Sequence, residues 1–460
     1  MQPVDGIRRA QFNPPTSSSP PRQTRRYFRY TGWLAFSLLI VVLAWLVSPV
    51  VAALPFSNWQ DRVEVLTLLK PGRYLVLFQN SRELRPTGGF LGSFAEVELG
   101  WGLSVDAITV ETNIYARDNQ YAPVLNIDAP EPLRAFLGET PWTLRDSNWD
   151  MDFPTAAESI AWFYEHEGGH PVDGVIALDA RVLERIVRLT GPIDLPEFDL
   201  FLTADNIIDT LQEEIEKNYW YRTSGVMENQ PKKVLGALLP LILDRLRNQD
   251  LRNLSAFAVD AFEAKEIQIS VSDSELADVF ARNGWDGRLV TSGVDEFLHI
   301  NEANLTPVNG LDRVLGSKTS HEIDRTTRLT RQADGTRRVE LTRTHRGVMA
   351  WPGGPNISYL RFVLPAGARL VTAERDGDDI RAEVRQSEEH GATVLGVTST
   401  INPGESETLQ INYTVPIPPG DGLLFGRQSG APTQDFELWD GQELRFRGSL
   451  DRDLNLASRT

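Results

Sequence analysis

A short loop, Glu83–Phe90, carries the residue types that could bind an anion. It begins with a glutamate and then places Arg85 before a proline and two glycines, Gly88 and Gly89. A guanidinium can grip a phosphate or a carboxylate through two parallel hydrogen bonds, and glycine amides can add further donors. Alternatively, the glutamate pairs with Arg85 and the glycines only allow the chain to turn. Asn80, at the end of the preceding apolar run, joins the candidate ligand-binding residues.

A second polar segment could hold a divalent cation. It contains three aspartates and one asparagine, namely Asp146, Asn148, Asp150 and Asp152. Carboxylate and amide oxygens are ligands of Mg²⁺ and Ca²⁺, and Asp150 and Asp152 are the candidate metal ligands. The spacing does not match an EF-hand loop, so helix capping and turn formation are the competing interpretation. Thr155 and Glu158 predict a capping box at the start of the next helix.

Two further aspartates bracket a short apolar run, which predicts a buried strand. Asp179 follows this run and is suited to capping the helix that comes next. Asp173 precedes it and has no such evident role, so it remains a candidate ligand-binding residue.

The composition excludes several classes of function. The chain has 460 residues and no cysteine, which rules out disulfide scaffolds, thiolate metal sites and cysteine nucleophiles. Its six histidines show no metal-ligand spacing. The formal net charge is −17, and because residues 1–30 hold six arginines and one aspartate (+5), the remainder carries −22. Such an acidic body is a poor match for nucleic acid, whose phosphates require a basic surface.

The N-terminal part predicts a single membrane-spanning helix. The uncharged stretch Trp33–Leu54 is long enough to cross a hydrocarbon core of ~30 Å. Because six arginines precede it, the positive-inside rule leaves the N-terminus in the cytoplasm. We expect residues 1–30 to be a disordered cytoplasmic tail, residues 31–54 to be a signal anchor in the lipid bilayer, and the chain after about residue 60 to be extracytoplasmic. A signal peptide cleaved near Val51–Ala53 is the alternative.

Two patterns of secondary structure divide the rest of the chain. Over residues 61–305, short apolar strands alternate with helices, which predicts a layered α/β domain. Over residues 306–460, short strands separated by Gly, Pro and Asp predict an all-β, sandwich-like domain. Within the latter, Asp334–Gly335 and Asp440–Gly441 are typical of hairpin turns. The predicted fold class is therefore α/β, with a layered sheet-and-helix domain, an all-β domain after it and one transmembrane helix before it.

Several blocks of the sequence resemble one bacterial family. They are RYLVLFQN and ELRPTGGF at residues 73–80 and 83–90, DMDFPTAA at 150–157, and VDGVIALD at 172–179. These look like the hallmarks of the domain-of-unknown-function 4012 family. The resemblance covers residues 70–305 and implies a membrane-anchored bacterial envelope protein without an established activity.

The order of elements from Asp152 to Pro196 is also similar to that of the LytR-CpsA-Psr phosphotransferases. The resemblance implies transfer of lipid-linked glycopolymers onto peptidoglycan, with arginines on a pyrophosphate and usually Mg²⁺. Their Pro-Arg-Asp-Thr motif and their later arginine cluster are missing here. The similarity therefore concerns the fold more than the activity.

Two hypotheses about function follow. The first is an envelope protein that binds a cell-wall glycan, a lipid-linked precursor or an envelope partner. The residues predicted to bind the ligand are Asn80, Arg85, Gly88, Gly89 and Asp173. The alternative is a divergent phosphotransferase in which Arg85 binds diphosphate, and Asp150 or Asp152 holds Mg²⁺ or acts as a base. The enzyme requires Arg85 and these aspartates to meet at the mouth of an apolar cavity.

Overall fold

The computed structural model describes residues 59–68, 70–100, 105–111, 114–137, 141–216, 233–305, 318–350, 353–416 and 422–456. The predicted cytoplasmic tail, 1–30, and signal anchor, 31–54, lie outside these residues. No helix within the described part of the chain is both long and apolar enough to span a membrane.

The α/β part is built on a mixed five-stranded sheet. Its strands and a small separate hairpin (β5 and β6) are β1 (Gly72–Asn80), β2 (Phe90–Leu99), β3 (Val105–Glu111), β4 (Gly174–Asp179), β5 (Ile193–Leu195), β6 (Leu200–Leu202) and β7 (Ile267–Val271). The order in the sheet is β3–β2–β1–β4–β7. β1 and β4 are parallel, and the other neighbouring strands are antiparallel. The carboxyl ends of β1 and β4 therefore meet at one edge.

Helices cover both faces of this sheet. They are α1 (Trp59–Leu68), α2 (Ile114–Leu125), α3 (Leu133–Leu137), α4 (Phe153–His166), α5 (Arg181–Thr190), α6 (Ile207–Glu216), α7 (Lys233–Arg247), α8 (Leu251–Glu263) and α9 (Ser274–Arg282). Val76 of β1 packs in a core with α5 to α9, whereas Leu75 and Leu77 pack in a second core with α4. Because both faces are buried, β1 reads as a continuous apolar run. The predicted layered α/β arrangement is confirmed.

The start of α4 differs from the predicted capping box. Asp152, not Thr155, is the N-cap, and its carboxylate accepts hydrogen bonds from the amide of Thr155 at 3.2 Å and from its hydroxyl at 2.8 Å. The helix begins at Phe153 because the proline at 154 is well tolerated in a first turn, where its missing N–H is not needed.

The C-terminal part is a sandwich of two sheets, which confirms the predicted all-β region. The strands are β8 (Phe297–Asn304), β9 (Ile323–Arg331), β10 (Thr336–His345), β11 (Asn356–Pro365), β12 (Arg369–Arg375), β13 (Asp378–Asp379), β14 (Arg385–Glu389), β15 (Ala392–Ile401), β16 (Ser406–Thr414), β17 (Leu423–Gly426), β18 (Gln434–Asp440), β19 (Glu443–Leu450) and β20 (Leu454–Leu456). The sheet orders are β13–β12–β16–β10–β9–β18–β19 and β14–β15–β11–β8–β17–β20. Apolar side chains of both sheets meet in one core.

Strand β8 belongs to the sandwich and not to the α/β part. The sequence placed it within residues 61–305, but it is hydrogen-bonded to β11 on one side and to β17 on the other. Pairing partners that lie 50 to 130 residues away cannot be read from a local pattern. The α/β part consequently ends before residue 297.

Buried ion pairs lie at both ends of the sandwich core. Glu302 accepts from Arg325 at 2.7 Å and from Arg343 at 3.0 Å. Near the opposite ends of the same strands, Glu296 accepts from Arg337 at 2.7 Å. These arginines occupy inward positions of β9 and β10 that alternate with exposed or partly exposed residues. Leu329, Val339 and Leu341 lie on the same inward faces and pack in the core, so each buried arginine needs the carboxylate with which it is paired.

Candidate functional site

The loop Glu83–Phe90 lies at the carboxyl edge of β1, where it is covered by the sandwich. Ligands of open α/β sheets bind at such carboxyl edges. Here Leu84 accepts a hydrogen bond from the amide of Asn304 at 2.9 Å and donates its own amide to Ser320 at 3.1 Å. The edge that would receive a ligand is thus joined to β8 and to the turn Ser320–Glu322.

Arg85 is buried and its guanidinium is held by protein groups. Only 6% of its surface is exposed. One terminal nitrogen lies 3.0 Å from Glu83 and 3.3 Å from Asp146, and the other donates to the main-chain oxygen of Asn304. The guanidinium also sits 5.3 Å from the centre of the Phe90 ring. The predicted alternative, pairing of Arg85 with Glu83, is what the geometry shows.

Two carboxylates compensate the charge of Arg85. Burial opposes the positive charge, but the carboxylates of Glu83 and Asp146 outweigh it and raise the pKa of the guanidinium above its ordinary value. A phosphate brought to Arg85 would face these two carboxylates in a site of low dielectric constant. The arrangement therefore suits a structural ion pair better than an anion receptor.

The main chain of the loop is bound by side chains from both parts of the protein. The carbonyl oxygen of Arg85 accepts from Gln428 at 3.0 Å, and that of Pro86 accepts from Asn301 at 3.0 Å. The next carbonyl, that of Thr87, accepts from Gln268 of the α/β part at 2.8 Å. Three consecutive carbonyl groups are therefore satisfied by amide side chains, as buried polar groups require.

The two glycines of the loop are required by space and by conformation. Gly88 has φ +135°, and a Cβ there would lie 2.5 Å from Oε1 of Gln79 and 2.7 Å from Oγ of Ser429. A Cβ at Gly89 would lie 2.5 Å from the main-chain carbon of Asn80. Their role is close packing against neighbouring chain segments.

The aspartate segment divides into residues that contact this loop and residues that do not. Asp146 pairs with Arg85, and Asn148 donates to Thr87 Oγ1 and to the Gly89 carbonyl, both at 2.9 Å. Asp150 instead accepts from the main-chain amide of residue 152 at 2.8 Å and lies 2.7 Å from Nε2 of His390, in the sandwich.

Asp150 and Asp152 stand in no cluster of candidate metal ligands within the described residues. Both oxygens of Asp152 are engaged, one in capping α4 and the other by the amide of Leu289 at 2.9 Å. Both hydrogen bonds of Asp150 involve its Oδ1. Across the described ranges, His, Asp and Glu side chains form no group of three that could hold a metal ion.

Asn80 and Asp173 lie apart from each other and from any shared cleft. The side chain of Asn80 accepts from the amide of Arg82 at 3.1 Å and shapes the turn after β1. Asp173 lies at the opposite end of β1, where its carboxylate accepts from the amide of Arg73 at 2.7 Å. The structure therefore does not bring together the five residues predicted to bind a ligand.

A known protein family matches the region that contains this loop. Residues 70–215 match the family described as "Protein of unknown function (DUF4012)". The match supports the resemblance to that family seen in the sequence. The matched residues 70–215 are called the DUF4012 region, and the Glu83–Phe90 loop within it is called the DUF4012 loop. The aspartate segment also lies in this region, whereas β8 and the rest of the sandwich lie outside it.

Solved structures and curated proteins add no functional information. No curated protein matches the chain. A putative nutrient binding protein from Legionella pneumophila is similar at 7% identity and TM-score 0.19, covering 25% of this chain and 50% of that one. An M1 zinc metallopeptidase from Deinococcus radiodurans is similar at 17% identity and TM-score 0.15, covering 25% and 31%. The chain thus spans half or less of the length of these proteins.

The sandwich residues that bind the DUF4012 loop were not identified from the sequence. They are Asn301, Asn304, Ser320 and Gln428. A signal exists in the run Gly426–Gly430 (GRQSG), where Gly430 has φ +74° and a Cβ would lie 1.7 Å from the carbonyl oxygen of Gly88. Two glycine-containing loops from distant parts of the chain therefore touch main chain to main chain.

Proposed function

We propose that this chain is a membrane-anchored, extracytoplasmic envelope protein that binds cell-wall glycan without catalysing its transfer. The sandwich and the DUF4012 region would act as one binding body held at the membrane by residues 31–54. The uncharged stretch Trp33–Leu54, the six arginines before it and the absence of cysteine support this location.

The observation that carries the proposal is the state of Arg85. This guanidinium is the strongest anion-binding candidate of the sequence, and it is paired with Glu83 and Asp146 beneath the sandwich. An arginine that binds diphosphate has to present free donors to a ligand. The most specific block of the sequence therefore serves to join two parts of the protein.

Exposed aromatic rings on α4 support binding of a glycan. Trp162 is 40% exposed and stacks on His166, with ring centres 3.9 Å apart and an angle of 17° between the rings. It also contacts the buried ring of Phe163, at 5.1 Å, so its position is fixed by the core. Rigid, partly exposed aromatic rings offer contact area at a low cost in conformational entropy, and the C–H faces of sugars pack on such rings.

The alternative, a divergent glycopolymer phosphotransferase, has less support from the geometry. It needs Arg85 on the diphosphate and Asp150 or Asp152 on Mg²⁺. Arg85 contacts Asp146 instead, Asp150 contacts His390, and Asp152 caps α4.

Two assays on the full-length protein in detergent micelles separate these functions. In the first, co-sedimentation with purified peptidoglycan sacculi should retain the wild-type protein and lose most of the Trp162→Ala protein. Phe201→Ala is the matched control, because Phe201 is 60% exposed on a different element, β6. Equal sedimentation of both variants would argue against glycan binding at α4.

The second assay tests catalysis. The protein is incubated with Mg²⁺ and a polyprenyl-diphosphate-linked glycan, and release of the lipid is followed. We expect no release above the protein-free rate. Release that is abolished by Asp150→Asn, in a variant with wild-type stability, would establish the phosphotransferase instead.

A further inference from the structure

A cavity lies between the α/β part and the sandwich, beside the Pro86 end of the DUF4012 loop. Its volume is about 30 Å³. Its walls come from both parts of the protein and include three cationic residues, Lys265, Arg288 and Arg427, but no aspartate or glutamate. A pocket with this charge imbalance is attractive to an anion.

Two of the three cations already have carboxylate partners. Lys265 lies 2.9 Å from Asp453, and Arg288, which is half-exposed, pairs with Asp286 at 2.5 Å. His299, also in the wall, donates from Nε2 to a carbonyl oxygen, and burial together with the charge of Lys265 lowers its pKa to about 4. This imidazole is therefore neutral and adds no charge.

Arg427 is the one of these three cations whose guanidinium donates to main-chain oxygens and not to a carboxylate. Only 2% of its surface is exposed, and its terminal nitrogens donate to the main-chain oxygens of Ala264 and Ala431. Its Nε has no hydrogen-bond partner among the described residues. Burial and the charge of Arg181 lower the pKa of Arg427 to about 9. A buried guanidinium in this environment is stabilised by an anion that contacts it directly.

The carboxylates near Arg427 bind other arginines. Asp179 pairs with Arg181 at 2.8 Å, Glu266 pairs with Arg185, and Asp451 pairs with Arg452 at 3.1 Å. These three carboxylates oppose the lowering of the Arg427 pKa, but among the described residues none of them hydrogen-bonds to its guanidinium. Arg181 instead donates to the same carbonyl oxygen of Ala431, at 3.1 Å, so two guanidinium groups share one acceptor.

We propose that the cavity binds a small monovalent anion, of the size of chloride or formate, against Arg427. The size follows from the volume, because one water molecule needs roughly 10–15 Å³ and the cavity offers about twice that. The anion contacts the Arg427 guanidinium directly as its counter-ion and stabilises the contact between the two parts of the protein. The site is separate from the glycan surface on α4.

The test is thermal unfolding of the full-length protein in detergent micelles, followed by tryptophan fluorescence. Sodium gluconate, whose anion is too large for the cavity, is replaced stepwise by sodium chloride, bromide or formate at constant ionic strength. We expect a saturating rise in Tm of about 2–4 °C with each small anion. The Arg427→Gln protein should lose this rise, whereas Arg346→Gln, in an exposed pair with Asp324, should keep it.

A crystal grown in sodium bromide gives a second readout that does not depend on a variant that folds. An anomalous bromide peak beside Arg427 supports the proposal. No peak in the cavity, or an equal rise in Tm for the wild-type and Arg427→Gln proteins, overturns it and leaves the cavity with water only.

Discussion

Arg85 and Asn304 are joined through the side chain of the arginine and the main chain of the asparagine. The carbonyl oxygen of Asn304 accepts from the Arg85 guanidinium, and the amide of Asn304 donates to the carbonyl of Leu84 at 2.9 Å. Asn304 of β8 thus accepts one hydrogen bond from the DUF4012 region and donates another to it.

Loss of the Arg85 side chain should destabilise the protein strongly. Arg85→Ala leaves Glu83 and Asp146 buried without their cation, and breaking a buried pair in this way costs about 3–5 kcal/mol. Urea denaturation of the full-length protein, followed by tryptophan fluorescence, measures the loss. Arg346→Ala is the control, since its pair with Asp324 is two-thirds exposed on each side and contributes about 0–1 kcal/mol. Similar losses for the two variants would contradict the assigned role.

Gly88 should be more sensitive to substitution than another glycine with positive φ. Gly88→Ala adds both the conformational cost, about 1–2 kcal/mol, and a steric cost against Gln79 and Ser429. Gly335→Ala has the conformational cost alone, because φ there is +89° but no atom lies within 4 Å of the new methyl group. We expect the first variant to lose about 1–3 kcal/mol more than the second. Equal midpoints of urea unfolding would show that the loop accommodates the added methyl group at residue 88 without a steric cost.

A buried pair of carboxyl groups should make stability depend on pH. Burial raises the pKa of Glu167, and the charge of Asp118 raises it further; burial also raises the pKa of Asp118. The folded protein therefore holds more protons than the unfolded chain above the ordinary carboxyl pKa, so the free energy of unfolding should fall as pH rises from about 5 to 8.

The Glu167→Gln variant tests this dependence. Its amide cannot ionise, so the slope of stability against pH should be shallower than in the wild type, with the largest gain at pH 8. Denaturation curves at several pH values measure the slope. The Leu144 amide, which donates to Glu167 at 3.1 Å, keeps an acceptor in the variant. An unchanged slope would assign the effect to other groups.

Removing the charge of Glu302 should unfold the sandwich more readily at neutral pH. Glu302→Gln leaves Arg325 and Arg343 without their shared carboxylate, at a cost of about 3–5 kcal/mol. Burial opposes ionisation of Glu302, but the two arginines outweigh it and lower its pKa to about 2. Its contribution is therefore present above the unfolded carboxyl pKa and is lost as pH falls toward 2, where the difference between the proteins should shrink. Urea denaturation at several pH values measures this difference. Glu340→Gln is the control, because the pair of Glu340 with Arg328 is partly exposed.

Local signals in the sequence were sufficient for much of the fold. The apolar run of β1 and the turns at Asp334–Gly335 and Asp440–Gly441 are determined by neighbouring residues, and the expected hairpins occur there. The pairing of Arg85 with Glu83 was also accessible, because the two residues are close in sequence. The predicted helix cap at Thr155 was wrong, because Asp152, three residues earlier, caps the helix.

The candidate site could not be predicted because its partners are distant in sequence. Asp146 lies 61 residues from Arg85, and Asn304 lies 219 residues from it. Gln428, which binds the Arg85 carbonyl, is 343 residues away. No periodic pattern in the sequence connects such positions. Without these distant partners, the loop sequence is equally compatible with a ligand-binding turn and with a contact between two parts of the protein.

The position of β8 between β11 and β17 has a consequence for biogenesis. A chain that emerges N-terminus first delivers β8 long before β17, whose residues 423–426 pair with it in parallel. Gln428 and Ser429, which close over the DUF4012 loop, arrive with β17. Because such long-range contacts form slowly, we expect the loop to stay uncovered until nearly the whole chain is available, so that the last strands also complete the first domain.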